Sequence, residues 1–471
     1  MERYFELFDT GVAEMARLIS LALSKGGDYS DIFFEYATSE DLTLRDGEVN
    51  AVECTSDFGV GIRVLKDGCT GYAYSESTDA KDMERAALSA AEIAHGSTSM
   101  IAEIPALKPV EFKNRYPVKL QWRDFTIESR KEYLLRLNAK LRDLDAVVNK
   151  VTASLSHDLS KVMFYNSNGE FFCDERPCTS LIVNCSLVKD GQSETIAVSR
   201  SFRKGGEMLT ESLIEEIADE IRPRLKVIFE ARQPKGGEMS VVMGSGSSGI
   251  LLHEAIGHAF EADFNRKGIS IFSDKMGKKI CSESISVVDD GTIGFNRGSV
   301  NVDDEGVPGQ KTYMVKDGIL TSYLHDRISA KHFGVAPTGN GRRESFRFNP
   351  IPRMRTTYME NGNCKAEDII KGVKKGIYVD NFTNGEVEIG AGDFTFFVKS
   401  GRLIENGHLT APIKDTNIIG NGPEALADII AVAADSRIDD STWTCGKDQY
   451  CAVSCGMPTV LIKSLTVGGK A

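Results

Sequence analysis

The chain has 471 residues, 41% hydrophobic and 26% charged, the balance of an ordinary soluble globular protein. A formal net charge of −12 argues against a nucleic-acid binder, which carries a basic excess, and no run approaches the roughly 18 apolar residues that span a membrane. A chain of this length is expected to form two or three domains, each with its own core.

The opening "MERYFELFDT" has no basic stretch followed by an apolar one, so secretion by a standard signal peptide is not expected. The ten cysteines are scattered along the chain, which fits reduced thiols in the cytoplasm better than a disulfide scaffold. Val12, Met15, Ile19 and Ala22 recur at helical spacing and predict one buried helix face. Strand-like runs follow in "DIFFEYA", "LTLRDGEVNAVEC", "GVGIRVL" and "TGYAYS", with "DGE" as a hairpin turn, and an Ala-rich helix covers about 78 to 95. A second series opens on Leu134, Leu137, Leu141 and Leu144 and runs through "VTASL", "KVMFYNSNGEFF", "SLIVNCSLV" and "ETIAVSRS". It closes in a helix around Leu213, Ile217 and Ile221. This reads as one plan written twice, a possible internal duplication; a single α+β domain with a long sheet is the alternative. "RQPKGGE", residues 232–238, has linker composition and divides an N-terminal domain, 1–234, from a C-terminal one, 235–471.

Beyond the linker, "MSVVM" reads as a buried strand, and the helix bearing His253 comes next. Hairpins are expected in "YMVKDGILTSYL" and "FTFFVKSGRLIENGHL", and a second helix near "GPEALADIIAVAAD". The predicted class is therefore α+β: helices packed on antiparallel sheets in the first half, and a mainly β second half with a metal-binding helix.

That helix carries "LLHEAIGHAF", residues 251–260. His253 and His258 are five residues apart, one more than in the H-E-x-x-H motif of zinc proteases. A regular helix at about 100° per residue would separate them by roughly 140°, too far to share an ion. A one-residue π-bulge would restore convergence, and Gly257, free to adopt unusual dihedrals, is the expected place for it. Zinc would then take the two imidazoles, with Glu254 beside the first as base. For a third ligand the sequence offers Glu261 and Asp263 nearby, and His325, His332 and Cys445 further away. The bland reading is that both histidines pack or face solvent. A rival lies just upstream: "GSGSSG", residues 244–249, fits a dinucleotide-binding turn with Asp263 near the acidic position, although no second βαβ unit follows. A Gly/Ser-rich cap on the helix is the simpler account.

"GSSGILLHEAIGHAFEAD" resembles the metal-binding helix of the TldD/PmbA family of metalloproteases. "VDDEGVPGQKTYMVKDGILTSYLHDR", "PTGNGRRESFRFNPIPRMRTTYM", "IENGHLTAPIKDTNIIGNGPEAL" and the final "LTVGG" resemble it in the same order, and together they cover nearly all of 238–471. The family has TldD-type chains with the histidine helix and TldE/PmbA-type partners without it; this chain looks like the first kind. The resemblance implies one zinc ion held by His253, His258 and Cys445 of "CGKD", with Glu254 as catalytic base. It also implies small or unfolded peptides as substrates, and a pair formed with a PmbA/TldE-type chain or a second copy. The family tends to continue "CGKDGQ", whereas this chain reads "CGKDQYCAVSC", which brings Cys451 and Cys455 close to the ligand position. A dipeptidyl-peptidase-III-like H-E-x-x-x-H enzyme with a downstream glutamate ligand, and a non-catalytic subunit with a structural metal, are the alternatives.

Arg342 and Arg343 are candidates for a substrate carboxylate or an oxyanion, or for tying loops through backbone carbonyls. Asp303, Asp304 and Glu305 could hold a cation, but read first as a solvated turn before Gly306; His325 and His332 read as structural and His408 as a surface residue.

Overall fold

The computed structural model describes residues 1–95 and 105–468, so Gly469 of the "LTVGG" motif lies outside the described residues. In the first half, α1 (Glu2–Leu7) and α2 (Val12–Leu23) lead into β1 (Tyr29–Arg45), β2 (Glu48–Lys66), β3 (Cys69–Ser75) and α3 (Ala80–Ala91). A short β4 (Lys108–Pro109) precedes α4 (Ile127–Arg142), β5 (Val148–Asn166), β6 (Glu170–Lys189), β7 (Gln192–Phe202) and α5 (Glu211–Val227). Helix, three strands and helix thus occur twice, yet the strands form one seven-stranded sheet in which β1 pairs antiparallel with β5.

The runs that looked like separate strands are continuous. β1 covers "DIFFEYATSEDLTLR", and β5 joins "VTASL" to "KVMFYN". The polar middles, around Thr38–Asp41 and Ser156–Ser160, hide that continuity because the helices pack on the ends of the sheet. Ile32, Phe34, Met163 and Tyr165 meet α2 and α3, while Leu42, Val151, Ala153 and Leu155 meet α4 and α5. Alternation puts the opposite side chains on the other face. There Phe33, Val162, Phe164 and Phe172 pack on Val302 and Phe346 of the second half.

Tight turns are set by Asp-Gly and Asn-Gly pairs with both residues at positive φ: Asp46-Gly47, Asp67-Gly68, Asp190-Gly191, Asp317-Gly318 and Asn406-Gly407. These are the residue pairs that tolerate the left-handed region demanded by a two-residue hairpin.

In the second half β8 (Gly237–Met243) belongs to a closed ring of five strands. The others are Lys375–Val387, Asp393–Glu405, Thr416–Asn421 and Val460–Gly468, each hydrogen-bonded to the next. Closure leaves those strands no free edge. A six-stranded sheet lies beside the ring, and the helix bearing His253 shares the apolar core, with Ile250, Leu252 and Ile256 among Val379, Phe396 and Ile418. The helix expected near "GPEALADIIAVAAD" stops early: Gly422–Ala427 is helical, but Ile429–Val432 is a strand pairing with Val460–Ile462. β-Branched Ile429, Ile430 and Val432 favour that outcome over helix.

The acidic turn is not solvated. Asp303, Asp304 and Glu305 are at most 4% exposed. Glu305 accepts from Arg63 of β2 at 2.7 Å, Arg63 also pairs with Asp31 of β1, and Asp304 pairs with Arg176 of β6. The turn therefore joins the second half to the N-terminal sheet.

Candidate metal centre

The segment carrying the histidines begins as α-helix over Ile250–Leu252, widens to a π-turn over His253–Gly257 and tightens to 3₁₀ over His258–Phe260. The His258 N–H donates to the carbonyl of His253, five residues back. This wider coil brings the two rings together, their centroids 5.1 Å apart and nearly perpendicular at 83°. Gly257 serves this turn for a different reason from the one expected. Its backbone is ordinary right-handed helix, φ −59° and ψ −50°. A Cβ there would lie 2.2 Å from the sulfur of buried Met354, so the absence of a side chain is what matters.

The Gly/Ser-rich lead-in likewise works by closeness and not by capping. No serine side chain caps this helix, and Ser247 donates instead to the Asp380 carbonyl. A Cβ on Gly249 would lie 2.3 Å from the Gly456 backbone nitrogen. Gly249→Ala is therefore expected to destabilise the protein by about 1–3 kcal/mol, since backbone must give way; urea unfolding of the pair of proteins measures it. Asp263, the acid that a dinucleotide would need, is ion-paired with Lys447 at 2.7 Å.

Cys445 arrives from the two-stranded hairpin of Thr444–Gly446 and Tyr450–Ala452. Its sulfur lies 3.3 Å from His258 Nε2, and one donor atom from each of His253, His258 and Cys445 falls within 4.8 Å of the others. Bonds of about 2.0–2.3 Å to one tetrahedral ion would leave such donors about 3.3–3.7 Å apart. All three residues are buried, and among the described residues neither ring nitrogen of His253 has a hydrogen-bond partner. An orphaned buried imidazole facing a thiol and a second imidazole is the donor set that zinc accepts.

The charges around the cluster are arranged for it. Burial raises the Cys445 thiol, but the His253 and His258 imidazoles outweigh it and hold the group at about 4. Burial lowers His258, but Glu261 and Cys445 carry it well above the usual histidine range. Glu261, fully buried, would be raised by desolvation, yet Lys447 first and His258 next bring it to about 2. Its Oε2 accepts from His258 Nδ1 at 2.9 Å and from Lys447 at 3.1 Å. Glu261, a candidate ligand in the sequence, thus fixes the orientation of His258 and leaves Nε2 for the shared centre. Glu261→Gln is expected to weaken metal affinity about 10- to 100-fold, read by competition with a chelating dye.

Glu254 stands on the open side. Its Oε2 is 3.7 Å from His258 Nε2, and burial raises its carboxyl against the opposing pull of His253 and His258. A cavity of about 340 Å³ lies there, bounded by Ile250, His253, Glu254, Trp443, Thr444 and Cys455. The cluster therefore has three converging donors, a carboxylate and space beside them.

The remaining candidates lie elsewhere. His325 is buried beside Tyr323 and Phe333, and its imidazole is held near 4 by burial; His332 packs edge-on against Phe333; His408 is exposed. Arg342 donates to the carbonyls of Met354 and Ala452, and Arg343 to the Asp304 carbonyl and the Tyr72 hydroxyl. Neither borders the Glu254 cavity. Cys451 lies across the hairpin from Cys445, its sulfur 3.5 Å from Arg353, and burial raises both it and Cys455. Sequence reasoning passed over Arg353 and Lys447. Arg353 is wholly buried and donates to the carbonyls of Cys445 and Gln449, holding the hairpin at both arms. The lysine within "CGKD" was the available signal for the second.

Three family descriptions match the chain: "PmbA/TldA metallopeptidase domain 1" over 30–94, "central domain" over 121–226 and "C-terminal domain" over 236–469. The metalloprotease TldD homolog of Buchnera aphidicola is 36% identical over 460 residues, covering 94% of this chain and 93% of its own length. That of Haemophilus influenzae is 36% identical over 448 residues, with the same coverage of 94% and 93%. The crystal structure of TldE from Thermococcus kodakarensis superposes with a TM-score of 0.74 at 20% identity, over 97% of this chain and all of that one, and so shares the fold.

Proposed function

Because this chain belongs to the PmbA/TldD metallopeptidase family, we propose that it is a zinc-dependent peptidase with His253, His258 and Cys445 as ligands and Glu254 as general base. The observation that supports this most is the meeting of those three donors, with the Glu254 carboxylate beside them at the wall of a cavity.

A bound zinc ion would polarise the scissile carbonyl and acidify a water in its open position. The chain's own residues do the rest. Glu254, its carboxyl raised by burial against the opposing pull of the two imidazoles, is a stronger base than an exposed glutamate. It accepts the proton of the attacking water and returns it to the leaving amine. Glu261 holds His258 by Nδ1 so that the other nitrogen keeps its aim, and Arg353 holds the hairpin so that Cys445 keeps its place.

Substrates in this reading are small or unfolded peptides bound in extended form, and strand addition would recognise them with little demand on sequence. The hairpin carrying Cys445 supports it, being a sheet of only two strands beside the cavity. The protein works in the cytoplasm as one of a pair, with a PmbA/TldE-type chain or a second copy. Zinc analysis of the purified chain beside hydrolysis of unstructured peptides tests the reading. One zinc per chain with chelator-sensitive hydrolysis is expected, and full hydrolysis after metal removal would refute it.

A further inference from the structure

A second cavity, about 300 Å³, lies between the N-terminal sheet and the metal-binding half. It adjoins the first across the Cys445 hairpin: Thr444 and Val453 border the metal cavity, and Tyr450, Cys451 and Ala452 border this one. Arg203, Arg297 and Arg342 stand on its wall. Their hydrogen bonds go to neutral groups. Arg342 serves the Met354 and Ala452 carbonyls at 2.6 and 2.8 Å; Arg297 serves the Trp443 carbonyl at 3.0 Å, the Ser201 hydroxyl at 2.8 Å and the Thr444 hydroxyl at 3.3 Å. Arg203 is the extreme case. It is 7% exposed, and among the described residues its Nε has no hydrogen-bond partner and its guanidinium faces only the Tyr116 ring, 5.3 Å away.

The six acids on the same wall are committed elsewhere, Asp57 to Arg347 and Glu344 to the Tyr450 N–H. Asp304 pairs with Arg176 and receives the Arg343 N–H; Asp303 takes the backbone N–H groups of Glu305, Val307 and Gly341. Glu35 accepts from the Ser160 hydroxyl and the Phe346 N–H, and Asp158 from the Ser39 hydroxyl. Burial raises Glu35 and Asp158, the latter in spite of Arg297. Burial also lowers Arg342, and Arg203 adds to the effect. Of the five arginines around this cavity, Arg176 and Arg343 pair with acids, whereas Arg203, Arg297 and Arg342 are not ion-paired among the described residues and are costly to keep unless an anion joins them.

We propose that this cavity is a substrate subsite for a carboxylate of the peptide, gripped by Arg203 with Arg297 and Arg342 in support. The inference rests on the peptidase reading. A planar, singly charged carboxylate fits the guanidinium fork, whereas a phosphate dianion would meet the neighbouring acids Glu35 and Asp158. Arg297 couples the subsite to the chemistry, since it holds Trp443 and Thr444, two residues that border the metal cavity.

The test is calorimetric binding to the zinc-loaded full chain carrying Glu254→Gln, so that probes are not consumed. The probes are an N-acetyl hexa-alanine free acid, its C-terminal amide, and an amide with one internal glutamate. At least one acid-bearing probe is expected to bind about 10- to 100-fold more tightly than the plain amide, the range of a charged hydrogen bond. Which of the two does so identifies a C-terminal or a side-chain carboxylate. Adding Arg203→Gln should erase the difference, and Arg203→Lys should restore part of it. Equal affinity for acids and amide with Arg203 in place overturns the proposal without either Arg203 variant having to fold. A difference that survives Arg203→Gln in a folded protein overturns it as well. Failure of the peptidase reading shows separately, as absent hydrolysis by the chain with Glu254 intact while the binding difference stands.

Discussion

Glu254→Gln is expected to lower kcat for peptide hydrolysis by about 10²- to 10⁴-fold, the usual contribution of a positioned acid–base group, while zinc content stays at one per chain. The amide keeps the size of the carboxylate but cannot take the proton of the attacking water. Metal retention should be spared because Glu254 is not among the three converging donors, and its nearest approach to His258 Nε2 is 3.7 Å. Steady-state kinetics with zinc analysis on the same preparations separates the possibilities. Unchanged kcat with full zinc would make the metal structural; loss of zinc would make Glu254 a ligand.

Cys445→Ala should be more severe. Removing the thiolate leaves two imidazoles as protein donors, fewer than the three that catalytic zinc sites keep, and takes away the sulfur 3.3 Å from His258 Nε2. The loss of affinity should exceed the roughly 10- to 100-fold expected of an outer partner such as Glu261, so the purified variant should carry no zinc and hydrolyse no peptide. Since an ion that binds only the native state stabilises it, the melting temperature of the variant should also cease to respond to chelator. Cys451, on the neighbouring arm, is the obvious substitute ligand. Its sulfur already accepts a hydrogen bond from Arg353, and burial pushes its thiol up, away from the thiolate that zinc takes. A Cys445→Ala protein with full zinc would show that Cys451 or Cys455 had taken the position.

The hairpin turns and the core helices were readable because each depends on local pattern: helical spacing in α2 and α4, Asp-Gly pairs at reversals. What escaped was set by tertiary packing. β1 and β5 looked interrupted because helices cover only their ends. The segment after Ala427 looked helical because its apolar residues do not declare their period, and pairing with Val460–Ile462 decides it. In the candidate metal centre the odd spacing of His253 and His258 signalled a deformation, and a π-turn is there. Gly257 was credited with freedom of φ when its real task is to make room for Met354, 97 residues away in sequence and invisible to local reasoning. For the same reason Glu261 could be named as an acid near the site, but not seen to turn towards Nδ1 under the charges of Lys447 and Arg353.

The buried turn of Asp303, Asp304 and Glu305 bears on how such chains can be inherited. Its countercharges, Arg63 and Arg176, belong to the other half of the polypeptide, where Arg63 is also shared with Asp31. A gene fusion that exchanged one half for that of a distant relative would strand several charges inside the product, at a cost of about 3–5 kcal/mol for each broken pair. Recombination between the halves is thus penalised even where both parental halves are sound. The two halves must drift together, and a change at Arg63 has to be answered at Glu305 before either sequence can move on.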